Sequence, residues 1–130
     1  MNKEEHIKYW LDSANEDYDV INYLVQGKKY VYALFFGHLY LEKISEAIWV
    51  KNNESNYPPK IHNLLTILKQ ANVTLEDDQS LFLLKMNQYQ IEGRYPEDIE
   101  KLKNITDAEL TEKSLNNINT IAKCLLKHLQ

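Results

Sequence analysis

The sequence has very few of the residues that recognise nucleic acids. Arg94 is the only arginine among 130 residues, and the formal net charge is −4. Arginine is the usual bidentate reader of phosphates and guanine edges, and an acidic chain has no long-range field that attracts a phosphate backbone. The composition therefore disfavours general nucleic-acid binding.

Cysteine, glycine and proline are scarce too. Cys124 is the only cysteine, so an internal disulfide and a zinc site built from several cysteines are both excluded. Three glycines and three prolines leave long stretches uninterrupted, as helices require. No apolar run approaches the roughly 20 residues that span a bilayer, and no signal-peptide core follows the charged first residues. We therefore expect a cytoplasmic protein.

The patterns that are present are helical. Apolar residues recur every three or four positions, and no stretch alternates apolar with polar residues for long enough to form a strand. The sequence predicts a single all-α domain over residues 1–130, an up-down antiparallel bundle of about five helices. The predicted helices are 7–25, 30–51, a short one from about Pro59 that carries Leu68, one from the capping pair Thr74 and Asp77 to Ile91, and one from the capping pair Thr106 and Glu109 that carries Leu129.

The second helix has an apolar surface too wide for one neighbour, from which we expect a homodimer. Polar residues interrupt this helix, where His38, Glu42 and, one turn on, Ser45 or Glu46 share one side by four-residue spacing. Imidazole and carboxylate at this spacing can share a metal ion, but no third ligand is evident, so we predict no metal and no other cofactor. In the first helix, Asp17 lies one position off the buried stripe and is predicted to face a partner group rather than bulk water.

Four short segments, taken in order, resemble those of the HEPN family over nearly the whole chain. They are Ala14-x-x-Asp17, the pair Glu42-Lys43, His62-x-Leu64, and Tyr89 followed by Arg94-Tyr95-Pro96. The resemblance implies a helical bundle with a four-helix core that usually dimerises, found alone or beside a small nucleotidyltransferase of the minimal type. Members of that family have been proposed to bind nucleotides, to support the transferase, or to act as ribonucleases.

The chain departs from the ribonuclease branch of the family. That branch needs an arginine followed four to six residues later by a histidine, which together polarise and protonate the scissile phosphate. Arg94 is followed by no histidine before His128, so no catalytic residue is predicted. Glu46 stands where the family pattern often has a lysine, and this disfavours an anion at that face.

We therefore predict a non-catalytic, homodimeric binding module. Its partner is a nucleotide or a minimal nucleotidyltransferase, in a toxin–antitoxin-like or accessory role. The alternatives are a divergent ribonuclease toxin that acts on RNA and a purely structural helical adaptor. The candidate binding residues are Asp17, His38, Glu42, Lys43, Arg94 and Tyr95.

The sequence leaves two roles open for Arg94. It is either a phosphate clamp or a charge paired with Asp17 or Glu42. Polar groups in a low-dielectric cleft are costly unless paired, so we expect these three residues and His38 to meet at one cleft, with Arg94 paired to at least one carboxylate. Tyrosines could stack a base, but core or interface positions are the more common use of such residues.

Overall fold

Two long helices, α1 (Lys3–Gln26) and α2 (Tyr30–Asn52), are antiparallel neighbours in the computed structural model, which describes all 130 residues. A three-residue turn joins them. Asn2 starts α1 with a reciprocal pair of hydrogen bonds to Glu5, which satisfies early amide groups of the helix. Gly27 is the C-cap of α1, and the left-handed residue of the turn is Lys28, with φ +57°.

Four shorter helices complete the bundle. They are α3 (Leu64–Gln70), α4 (Asp77–Met86), α5 (Pro96–Ile105) and α6 (Ala108–Leu126), with single 3-10 turns at Asn87–Tyr89 and Lys127–Leu129. The chain has no strand, so the predicted all-α helical bundle is confirmed. None of its helices combines the length and hydrophobicity that a bilayer crossing requires.

The number and bounds of the shorter helices differ from the prediction. There are six α-helices instead of about five. The additional one is α5, which has Pro96 in its first turn. α4 ends at Met86 instead of Ile91, and α3 begins after Asn63, whose side chain accepts from the amide of Thr66. The caps of α4 and α6 are Glu76 and Asp107 instead of Thr74 and Thr106.

Helix α2 is the centre of the core. α1, α3 and α6 pack against it, and fourteen of its 23 residues are buried. Most of the wide apolar surface of α2 is thus covered within one chain, although one side of its first half stays partly exposed. α6 approaches closely at Gly37, where an added Cβ would lie 2.7 Å from Cδ1 of Ile118.

Candidate functional site

Asp17 and Lys43 lie face to face between α1 and α2. The Lys43 Nζ atom is 2.7 Å from Asp17 Oδ2, and the two side chains are 21% and 13% exposed. The contact is an ion pair without the alignment of a hydrogen bond, since Oδ2 accepts none. The prediction that Asp17 faces a partner group is confirmed, and the partner is another predicted binding residue.

Glu42 pairs with a histidine from the segment that precedes α3. The Nδ1 atom of His62 lies 2.9 Å from Oε1 of Glu42. Burial raises the pKa of Glu42, while His62 opposes that rise. His62 itself was predicted in the first turn of a helix from about Pro59, which is wrong, because α3 starts only at Leu64. The non-helical segment before α3 therefore places the imidazole against α2.

Glu46 follows Glu42 by one turn of α2 and is 8% exposed. It forms no ion pair, and the Glu42 carboxyl is one of its polar neighbours. Burial and the neighbouring carboxyl raise the pKa of Glu46 to about 8, so the group is mostly protonated at neutral pH. Lys43 is close enough to oppose the rise but is already paired with Asp17.

The two glutamates lie in one cleft of about 540 Å³, which we call the acidic cleft. Its walls are the start of α1 and the segment 56–62. The remaining lining residues are Met1, His6, Tyr9, Trp10, Asn56, Tyr57, Pro58, Pro59, Lys60, Ile61 and His62. This volume is within the range of small-molecule sites.

A lysine from α1 fixes the start of the loop that leads into that wall. The Lys3 ammonium donates to the carbonyls of Val50 at 2.7 Å and Asn53 at 2.8 Å. These carbonyls lie at and beyond the last turn of α2, where a positive charge is favoured by the helix dipole. The Asn53 side chain adds bonds to the carbonyls of Trp49 and Gln70. The loop is therefore anchored to α1, α2 and α3.

His38 lies in the core and not at a surface. It is fully buried, and burial lowers its pKa to about 4, so the imidazole is neutral. The side chain of Asn87 and the backbone of His62 are its polar neighbours, although neither ring nitrogen forms a well-aligned hydrogen bond. A neutral imidazole has one donor and one acceptor, which suits these two neighbours.

Asn87 links this region to Arg94. The Oδ1 atom of Asn87 accepts from the amide of Leu64 at 3.2 Å, and its backbone carbonyl accepts from an Arg94 terminal nitrogen at 3.2 Å. Arg94 Nε also donates to the carbonyl of Gln90 at 3.1 Å. The guanidinium therefore closes the end of α4 and its 3-10 turn, where carbonyls lack helical partners.

The expected ion pair between Arg94 and a carboxylate is wrong. Asp17 is paired with Lys43 and Glu42 with His62, and no carboxylate lies within ion-pair distance of Arg94. The four residues predicted to meet at one cleft are apart. Glu42 lines the acidic cleft, and Arg94 lies at the 3-10 turn after α4. Asp17 lies between α1 and α2, and His38 is in the core. The physical reason is local. The backbone carbonyls of Gln90 and Asn87, four and seven residues earlier in the chain, already accept two hydrogen bonds from the guanidinium.

Arg94 keeps N–H groups that the backbone does not use, because a guanidinium has five and two are engaged. It lines a cleft of about 450 Å³, which we call the arginine cleft. The other lining residues are Gln88, Asp98, Lys101, Leu102, Asn104 and Ile105. Tyr95, the next residue in the chain, is 73% exposed and forms no hydrogen bond through its side chain.

Sequence reasoning missed several residues that shape these sites. Glu46 was placed on the side of Glu42 but was not among the candidate binding residues, and the roles of Lys3, Trp10 and Asn87 left no sequence signal. The contiguity of Glu42 and Glu46 at helical spacing was the one signal that could have revealed a carboxyl pair. No group of three or more histidine, cysteine or acidic side chains is arranged to hold a metal ion.

The sequence model of the family described as "HEPN domain" matches residues 7–129. The match covers nearly the whole chain, including all six helices except the first four residues of α1. Comparison with curated proteins and with solved structures returned no match.

Proposed function

Because the chain belongs to the HEPN domain family, we propose that it is a non-catalytic binding module that holds the phosphate of a nucleotide at Arg94. One observation carries the proposal. The Arg94 guanidinium is oriented by two backbone carbonyls, faces the arginine cleft and has no carboxylate partner. A fixed, unpaired guanidinium is a strong donor for a phosphate oxygen.

Lys101 lines the same cleft and would add a second positive charge next to a bound phosphate. Asp98 lines it too and opposes an anion, so we expect binding that is weak and sensitive to salt. Tyr95 stands beside Arg94 with most of its ring exposed, where it can pack against a base. The observations favour no particular base.

A ribonuclease reaction has less support. General acid catalysis at a phosphate needs a histidine beside the arginine, and no histidine lines the arginine cleft. His38 is fully buried and neutral, and His62 is paired with Glu42 in the acidic cleft. We expect no cleavage of structured or unstructured RNA by the pure protein.

Titration with ATP, AMP and adenosine, followed by NMR amide shifts, tests the proposal. We expect ATP to bind more tightly than AMP and adenosine not to bind. Arg94→Gln should weaken ATP binding about tenfold or more, because a charge-assisted bond is lost. The matched control is Lys113→Gln, an exposed cation on α6 that forms no ion pair. Adenosine binding as well as ATP, or an unchanged Arg94→Gln, would count against Arg94 as the phosphate ligand.

We also propose that the chain acts as a homodimer. Residues at three-four spacing along one side of α2 remain partly exposed, namely Tyr32, Phe35, Phe36 and Leu39. A second copy is the simplest cover for such a stripe. Light scattering behind size exclusion should give the mass of two chains, and Leu39→Glu should give one. Leu81→Glu, on the exposed side of α4, is the control that should stay dimeric.

A minimal nucleotidyltransferase remains the proposed protein partner, in a toxin–antitoxin-like or accessory role. This part rests on family membership, since no surface of the chain selects that partner. Co-expression with a transferase encoded beside this chain, followed by co-purification, tests it. Failure of the two proteins to associate would leave the nucleotide proposal as a separate question.

A further inference from the structure

Glu46 is a buried carboxyl group that opens into a cleft and has no cation of its own. It is 8% exposed and lines the acidic cleft beside another carboxyl, Glu42. A carboxyl group in such a place must hold either a proton or a positive charge from outside, because burial penalises a lone anion.

The charged and titratable groups around Glu46 do not supply that charge. On α2, Lys43 is paired with Asp17, and Glu42 is paired with His62 from the segment before α3. His6 and the amino terminus from the α1 side, and Lys60 from the segment, line the cleft without an ion pair to Glu46. The cleft therefore has an excess of acidic groups at its most buried part.

Aromatic side chains line the same cleft. Trp10 and Tyr9 come from α1, and Tyr57 comes from the opposite wall. Aromatic rings attract organic cations and cover alkyl groups, and the Glu46 carboxyl attracts a positive charge once it has released its proton. Zinc and calcium sites use three or more protein ligands, and no such set is present. The lining therefore favours a ligand with a cationic group attached to an alkyl chain.

We propose that the acidic cleft binds the ammonium group of a small aliphatic amine, with Glu46 as the counter-ion and Trp10 against the alkyl chain. The proposal is independent of the proposed function, because Arg94 and its cleft contribute no residue to this site. Lys3 and Asn53 hold the loop at the base of the cleft wall, so the site is largely formed before a ligand arrives.

Fluorescence titration with n-butylammonium chloride measures the binding. Trp10 and Trp49 are the only tryptophans, so a Trp49→Phe background isolates the tryptophan of the cleft. We expect a saturable change with butylammonium and with 1,4-diaminobutane. The neutral 1-butanol, which has the same alkyl chain, should give none. Magnesium chloride at equal ionic strength should not compete, whereas a change with 1-butanol equal to that with the amine would show an apolar pocket and overturn the proposal.

Glu46→Gln tests the counter-ion. This variant removes a buried acid without changing its shape, so it should fold, and thermal unfolding verifies that. We expect its affinity for butylammonium to fall about tenfold or more. The matched control is Glu112→Gln on α6, an exposed carboxylate that forms no ion pair. Equal affinity in wild type and Glu46→Gln, or no saturable change up to about 100 mM amine, would refute the site.

The pH dependence provides an independent readout. An aliphatic ammonium stays protonated well above pH 8, while Glu46 must release its proton to act as the counter-ion. The affinity of wild type should therefore rise about tenfold between pH 6 and pH 7. The Glu46→Gln variant should lose that rise, and a pH-independent wild type would contradict the mechanism.

A free amine and a lysine side chain present the same ammonium group. Comparing 1,4-diaminobutane with Nα-acetyl-lysine amide separates the two sources, since the latter must fit a bulky backbone beside the cleft. Binding of either ligand that depends on Glu46 supports the site, and the tighter one identifies the source. Binding of neither would refute the proposal.

Discussion

The Nδ1 atom of His62 lies 2.9 Å from Oε1 of Glu42, and this pairing leaves Glu46, one turn later in α2, without a basic partner. The imidazole is paired with only one of two neighbouring, nearly buried carboxyl groups. Glu42 and Glu46 can therefore carry one negative charge between them at little cost. A second negative charge is unfavourable unless a cationic ligand pairs with it, so one carboxyl otherwise keeps its proton. This imbalance makes the pH response of the protein a direct test of the cleft.

Glu46→Gln is expected to stabilise the protein, and more at pH 8 than at pH 5. The pKa of Glu46 rises from 4.5 in the unfolded chain to about 8, so the folded state keeps a proton that the unfolded chain releases. The stability from that proton is complete below pH 4.5 and is lost as the pH rises through about 8. We expect a gain on the order of 1 to 3 kcal/mol at pH 8, measured by urea unfolding.

The control for this experiment is Glu112→Gln, whose effect should not change between pH 5 and pH 8. A Glu46→Gln effect of the same size at both values would show that Glu46 is not held protonated by the fold. Glu42, whose pKa is also raised by burial, acts in the same direction and stays in both proteins.

His38 is expected to have the opposite pH effect. Burial lowers its pKa from 6.5 to about 4, so the unfolded chain binds a proton at a higher pH than the folded chain does. The contribution of the neutral imidazole is present above pH 6.5 and is lost as the pH falls through about 4. As the pH falls from 6.5 to 4.5, the wild-type protein loses stability through His38 and gains stability through Glu46. We therefore expect its free energy of unfolding to be nearly constant over that range.

His38→Gln removes one of the two opposing effects. Its unfolding free energy should fall steadily as the pH rises from 4.5 to 8, although the variant is less stable overall because a buried polar group is changed. Urea unfolding at half-unit pH steps gives the slope. His128→Gln, an exposed histidine, should keep the wild-type profile, and a flat profile in His38→Gln would show that His38 does not titrate as described.

The two long helices could be predicted closely because their apolar periodicity is strong. The predicted ranges 7–25 and 30–51 differ by only a few residues from α1 and α2. Helix α5 was missed although Ile99, Leu102 and Ile105 recur at three-residue spacing along its ten residues. The helix begins at Pro96, and proline suits the first turn of a helix.

The sequence indicated which polar residues need partners but not which partners they have. Asp17 contacts Lys43 because α1 and α2 are antiparallel neighbours. Glu42 contacts His62 because the non-helical segment before α3 packs against α2. Both pairings depend on tertiary structure. Arg94 was assigned to a carboxylate because burial of charge was the only argument available, and a local turn that offers two carbonyls satisfies it instead.

The Asp17–Lys43 pair is expected to contribute more than a surface ion pair. Its side chains are 13% and 21% exposed, whereas those of Asp12 and Lys8, another ion pair of the chain, are 57% and 75% exposed. A double-mutant cycle with Asp17→Asn and Lys43→Met should give a coupling of about 1 to 2 kcal/mol. The same cycle at Asp12 and Lys8 should give at most about 0.5 kcal/mol. Equal couplings would show that solvent screens both pairs alike.

Gly37 is expected to be required by the close packing of α2 against α6. A Cβ at this position would lie 2.7 Å from Cδ1 of Ile118, which is fully buried and has little room to move. Gly37→Ala should therefore cost about 1 to 3 kcal/mol, although alanine favours helices. Gly27→Ala is the control, because the nearest atom to its added Cβ is 3.5 Å away, and it should change stability by less than about 0.5 kcal/mol.

Ile118→Val separates this overlap from other effects of alanine at Gly37. Valine lacks the Cδ1 atom that the new methyl group would meet, so the two substitutions should compensate each other. We expect the double variant to be more stable than Gly37→Ala alone, even though Ile118→Val by itself costs about 1 kcal/mol. Urea unfolding of the four proteins measures the coupling. If the two losses simply add, the contact between α2 and α6 at Gly37 is not what excludes a side chain there.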